Sequence, residues 1–114
     1  MAKVLLAEDD PTMVSLLKTL LHMEGFDVVA LDSDANVPEA VLREKPNVLF
    51  MDVHLGQQSG MDIIESIRKN QETSGLRVVM TSGLNVKDEC IRRGADLFLL
   101  KPFMPDDLIH ALKQ

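Results

Sequence analysis

The chain has 114 residues, 46% hydrophobic and 26% charged, the balance of one soluble globular domain with a real core rather than a disordered chain or two domains. Twelve Lys and Arg against eighteen Asp and Glu give a formal charge of −6, and with no Trp, no Tyr and four Phe there is neither the basic stripe nor the stacking platform of a direct nucleic-acid binder. The single cysteine, Cys90, excludes an internal disulfide; the apolar runs are too short to cross a bilayer, and Glu8 interrupts the first of them too early for a signal peptide, so a cytoplasmic domain without membrane contact is expected.

Short apolar runs alternate with helix-like segments. Val4-Leu5-Leu6-Ala7 is the first run and ends in Glu8-Asp9-Asp10. Pro11 suits the first position of a helix capped by Asp10, with Met13, Leu16, Leu17 and Leu20 recurring at helical spacing and Gly25 as a stop. Val28-Val29-Ala30-Leu31 is the second run, ending at Asp32, and a weaker helix follows around Asn36 to Glu44, terminated by Pro46-Asn47. Val48-Leu49-Phe50-Met51 is continuous rather than alternating, as expected of a strand covered on both faces. A polar loop, Gly56-Gln57-Gln58-Ser59-Gly60, precedes a helix carrying Met61, Ile64 and Ile67. Val78-Val79-Met80 leads to Ser82-Gly83 and a poorly patterned helix near Val86 to Arg93. Leu97-Phe98-Leu99-Leu100 closes on Lys101-Pro102, and Pro105 starts a last helix with Leu108, Ile109 and Leu112.

Five strands alternating with five helices predict a (βα)5 α/β fold: a doubly wound, five-stranded parallel sheet of flavodoxin-like type with helices on both faces, occupying residues 1–114 as one domain. In such sheets the ligand site lies at the carboxyl ends of the strands. Those ends carry Glu8-Asp9-Asp10, Asp52, Thr81-Ser82-Gly83 and Lys101-Pro102, while the second strand falls to one side. At an effective dielectric near 20, two carboxylates about 4 Å apart repel by roughly 4 kcal/mol, so either their pKa values rise or a cation neutralises them. Few, hard oxygen ligands suit Mg2+. Carboxylate, Mg2+, an ammonium and a hydroxyl are together what a transferring phosphoryl group needs, and a carboxylate can itself accept the group. The residues therefore point to a phospho-aspartate site.

Several pieces of the chain carry a family resemblance. Val4-Leu5-Leu6-Ala7-Glu8-Asp9-Asp10, Met51-Asp52-Val53-His54-Leu55 with Gly60 eight residues after Asp52, Ser82-Gly83, and Gly94-Ala95-Asp96 leading to Lys101-Pro102-Phe103 occur in order at near-family spacing. Over nearly its whole length the chain resembles the receiver domain of two-component response regulators, the CheY-like superfamily. The resemblance implies Asp52 as phosphoacceptor, Glu8 and Asp9 as the acidic pair for Mg2+, with Asp9 the direct ligand and Glu8 acting through water, and the backbone carbonyl of His54 as a further metal ligand. It implies Lys101 as partner of the phosphoryl group, a cis peptide at Lys101-Pro102, and Phe98 as the aromatic switch. Either Thr81 or Ser82 fits the family's hydroxyl position; counting from the strand start favours Ser82, and only one of two neighbours can face the site. Asp10 falls outside the acidic pair and is assigned to capping.

Two departures stand out. Gly56 occupies a position where the family usually has proline, so a more mobile loop is expected there. The stretch from Ser82 to Gly94 is about three residues shorter than usual. The implied function is a signalling switch, not an enzyme beyond slow self-dephosphorylation, with His54 and Leu84 flanking the water path. A histidine kinase or histidine phosphotransfer protein donates the phosphoryl group, and the surface of the fourth helix, fifth strand and fifth helix changes its affinity for an unidentified output partner, a phosphorylation-dependent homodimer among the options. A receiver used for binding alone is the main competitor. A Mg2+-dependent aspartyl phosphatase would need a second Asp where His54 stands, and no G-x-G-x-x-G opens the first helix. His22 and His110 are expected to face solvent, Cys90 to be buried or inert, and Met13, Met23, Met61 and Met80 to fill the core.

Overall fold

The computed structural model describes residues 2–114, so Met1 of the N-terminal run lies outside the described residues. Five strands form one parallel sheet: β1 Lys3–Ala7, β2 Asp27–Leu31, β3 Val48–Asp52, β4 Arg77–Ser82 and β5 Leu97–Leu100. The helices between them are α1 Pro11–Met23, α2 Val37–Glu44, α3 Gly60–Lys69, α4 Lys87–Arg93 and α5 Pro105–Lys113. The spatial order β2-β1-β3-β4-β5 makes the sheet doubly wound, with its reversal between β1 and β3.

Strand alternation divides the core in two. Val4 and Leu6 of β1, with Val48 and Phe50 of β3, meet Leu17 and Leu21 of α1 and Leu108 and Leu112 of α5. Leu5, Ala7, Leu49 and Met51 face the opposite way, onto α2, α3 and α4. Both faces are covered, which is why β1 and β3 read as unbroken apolar runs. A fully buried Leu or Ile contributes roughly 1.5–3 kcal/mol, and these central strands hold most of that burial.

The helix ends follow local chemistry. Asp10 Oδ1 accepts from the Thr12 and Met13 amides at 3.0 and 3.4 Å, with Pro11 in the first turn, and Gly25 takes φ +90° just beyond the end of α1. Asn36 caps α2 by accepting from the Glu39 amide at 3.1 Å.

Three expectations change. Leu16 is 62% exposed and Met23 78% exposed; the buried stripe of α1 runs through Leu17 and Leu21, so Met23 is no core residue. Leucines at 16, 17, 20 and 21 offer two helical stripes one residue apart, and contact with the sheet selects the second. Met61 and Met80 are buried as expected and Met13 is half-buried. The polar loop after β3 is a small antiparallel hairpin, with His54 opposite Ser59 and Leu55 opposite Gln58.

The burial pattern sets an expected contrast. Ile64→Ala, at a fully buried α3 position, should lower unfolding free energy by about 2–5 kcal/mol in urea. Leu16→Ala, on the exposed face of α1, should change it by no more than about 0.5 kcal/mol.

Candidate functional site

The register of the central strands builds the site. Ala7 of β1 lies opposite Met51 of β3, so Glu8 and Asp52 emerge side by side at the carboxyl edge. Glu8 and Asp52 are buried and Asp9 is exposed, and one carboxylate oxygen from each of the three lies within 4.8 Å of the others. Lys101, leaving β5, brings Nζ to 2.7 Å from Glu8 Oε1 and 2.5 Å from Asp52 Oδ2. Its backbone amide donates to Ser82 O at 2.8 Å, fixing where β5 leaves the sheet. The Lys101-Pro102 peptide is cis.

Backbone amides orient each acid. Glu8 Oε2 accepts from the Asp9 amide at 2.9 Å, Asp52 Oδ1 from the His54 amide at 2.8 Å, and Asp9 Oδ2 from the Gly56 amide at 3.0 Å. Asp10 stands apart as the α1 cap, and the exposed His54 imidazole is not among the clustered ligand atoms. An all-oxygen set of three carboxylates, two of them buried, could hold a small hard divalent cation.

Electrostatics mark the same residues. Burial pushes the Glu8 carboxyl up, the negative charge of Asp52 adds to this, and the hydrogen bond from Lys101 opposes it. For Lys101, burial alone would lower the ammonium pKa, but its hydrogen bonds to Asp52 and Glu8 and their negative charges outweigh burial and raise it. Burial likewise raises the Cys90 thiol, seconded by Glu89, which leaves an unreactive core cysteine.

The two hydroxyls separate by strand parity. Thr81 Oγ1 donates sideways to Leu99 O at 2.7 Å. Ser82 lies two residues beyond Met80, on the α2–α4 side of the sheet, and its Oγ accepts from the Leu84 amide at 3.0 Å. Its own proton is left to donate. Phe98 stands opposite Met80 and packs half-buried against that same side. His22 and His110 are both exposed.

Sequence reasoning missed Gln58. Its side-chain amide donates to Ser33 O and Ala35 O, both at 2.9 Å, tying the hairpin to the loop before α2. The available signal was Gly56-Gln57, a two-residue Gly-X connection of the kind that closes hairpins.

The family model of the response regulator receiver domain matches residues 4–113. The chain belongs to the response regulator receiver family. Among its relatives, the transcriptional regulatory protein CpxR of Klebsiella pneumoniae is 31% identical over 113 residues, covering 99% of this chain and 48% of that protein. The receiver domain of the Francisella response regulator 1452 superposes with a TM-score of 0.89 at 26% identity, covering 99% of this chain and 94% of that one. The BeF3-activated N-terminal receiver domain of Klebsiella pneumoniae RstA gives 0.86 at 26% identity, covering 97% and 95%. The chain spans about half the length of the curated relatives it matches. No helix among the described residues is long and apolar enough to cross a membrane.

The raised Glu8 pKa gives this receiver a pH signature. The fold holds the proton on Glu8 more tightly than the unfolded chain does. That contribution is complete below the ordinary value of 4.5 and disappears as pH rises through the folded value. At pH 8, in the absence of divalent metal, Glu8→Gln should therefore melt at a higher temperature than the wild type. The gap should shrink toward pH 4.5, as thermal unfolding across that range would reveal.

Proposed function

We propose that this receiver is a Mg2+-dependent phosphorylation switch with Asp52 as the phosphoacceptor. The observation that carries this reading is the meeting of Asp9, Asp52 and Lys101, from the ends of three strands, within reach of one small anion. Glu8, Asp9, Asp52 and the His54 carbonyl would hold the metal. When bound, Mg2+ supplies neutralisation of the phosphoryl oxygens and of the acids that hold it.

The chain's own residues do the rest. An Asp52 oxygen attacks phosphorus while the P–N bond of a donor phosphohistidine breaks, and the electron pair leaves with the imidazole nitrogen. Lys101, already paired with Asp52, neutralises the charge that arrives. Ser82 Oγ–H turns to donate to a phosphoryl oxygen, and Phe98 follows into the space beside it. The surface of α4, β5 and α5 then presents a different face to its partner. A histidine kinase or histidine phosphotransfer protein is the donor, and water slowly attacks phosphorus, breaking the Asp52 O–P bond to release inorganic phosphate and restore the carboxylate. The downstream partner, or a phosphorylation-dependent homodimer, lies on that same face, where Ile91 of α4 and Leu100 of β5 are exposed.

Intact mass after incubation with acetyl phosphate and Mg2+ tests the reading. A gain of one phosphoryl group is expected, absent in Asp52→Asn, absent without divalent metal, and discharged by hydroxylamine. If neither acetyl phosphate nor a phosphorylated kinase produces the gain, the chain is a receiver used for binding alone. Beryllofluoride, the activator named for the RstA receiver, should shift the Ser82 and Phe98 resonances in wild type and leave Asp52→Asn unmoved.

A further inference from the structure

We propose that Gly56 and Gln58 form a strut that sets Asp9 for its metal and ties the acidic cleft to the loop preceding α2. The inference rests on the metal-binding part of the receiver reading above and concerns residues that reading leaves without a role. Asp9 is exposed, and the hydrogen bond from the Gly56 amide is the one its carboxylate accepts among the described residues. Without that bond the side chain would be free to swing into solvent. With it, Oδ2 is held and the carboxylate keeps its orientation toward Glu8 and Asp52. Carboxylates that ligate metals are held in this way, and loss of the outer partner weakens the metal.

Gly56 is suited to the task by its backbone. Its φ of +58° lies where side chains are strained, and a Cβ there would sit 3.0 Å from Ser33 Cβ and 3.1 Å from Ser33 O. The residue is thus pressed onto the loop before α2 while its amide points at Asp9. Proline could neither adopt that φ nor donate the hydrogen bond. Gln58 fastens the other side of the hairpin, spending both amide hydrogens on Ser33 O and Ala35 O. Asn36, the α2 cap, is the next residue. Occupancy at Asp9 is thereby linked through Gly56, the hairpin and Gln58 to the start of α2, a route separate from Ser82 and Phe98. Gly56 and Gln58 are positioning residues; neither touches the phosphoryl group.

The test is a Mg2+ titration of the full chain and its Gln58→Leu, Gln58→Glu and Gly56→Ala variants, followed by amide NMR. In wild type the Gly56 amide should resonate downfield, as a donor to a carboxylate, and the titration should shift Ser33, Ala35 and Asn36. In both Gln58 variants Mg2+ affinity should fall on the order of tenfold. The Gly56 resonance should move upfield, and the 33–36 amides should stop responding. Gly56→Ala should weaken Mg2+ at least as much; should it fail to fold, the two Gln58 variants, at a half-buried surface position, decide the matter alone. Wild-type affinity with an unmoved Gly56 resonance in both Gln58 variants overturns the strut and leaves the receiver reading intact. A wild-type chain that binds no Mg2+ overturns the metal part of that reading and the strut with it.

Discussion

Mutual repulsion of three carboxylates governs the carboxyl edge of this sheet. Glu8, Asp9 and Asp52 offer oxygens within 4.8 Å of one another, two of the three from buried side chains. At an effective dielectric near 20, each like pair at about 4 Å is unfavourable by roughly 4 kcal/mol. Such a cluster persists only if the scaffold cannot relax away from it. The scaffold here is β1 and β3, whose apolar residues are almost fully buried between two helical layers. Lys101 is the internal answer to the repulsion, bonded to both buried acids, and burial, seconded by the charge of Asp52, still holds the Glu8 pKa above its ordinary value. The three carboxylates could hold a divalent cation, which would complete the neutralisation that one ammonium begins.

Much of this was legible in the sequence because it is enforced locally or by topology. Asp10 caps, Pro11 starts α1, and unbroken apolar runs mark strands buried on both faces. Once five such runs alternate with helices, the strand-end rule places Glu8, Asp9, Asp52 and Lys101 together without any long-range calculation. What was not legible was phase. Four leucines in α1 are compatible with two stripes, and the choice of Leu17 and Leu21 over Leu16 depends on the approach angle of α1 to the sheet. Met23, at the last position of α1, is left exposed, which helical periodicity cannot reveal. The Thr81–Ser82 ambiguity had the same origin, since a one-residue shift in the limits of β4 exchanges the faces of both hydroxyls.

The hairpin after β3 escaped for another reason. Gly56-Gln57-Gln58-Ser59-Gly60 has the composition of a solvated loop, and its two-residue strands are too short for alternation to register. Its order comes from outside the segment, through the carboxylate of Asp9 and the carbonyls of Ser33 and Ala35. Gly56, whose place at the family's usual proline position led to the expectation of a more mobile loop, has a φ of +58° and a close approach to Ser33 that both favour glycine. Flexibility in the unfolded chain and definition in the folded one are compatible properties of the same residue.

Strand parity also separates how the two sides of the sheet can respond to the site. Thr81 bonds across to Leu99 within the sheet, on the side of α1 and α5, where Phe50 and Phe103 pack edge to face with centroids 5.8 Å apart. Ser82 and Phe98 fall on the side of α2, α3 and α4. On that side the C-terminal end of α4 is held by Arg93, which reaches Glu65 of α3 at 3.1 Å and Glu89 at 3.0 Å. Its N-terminal end, at Val86, has no side-chain cap. A rearrangement of the Ser82–Leu84 turn therefore meets the less anchored end of α4 first, and it does so without having to disturb the packing of α1 and α5 on the opposite face.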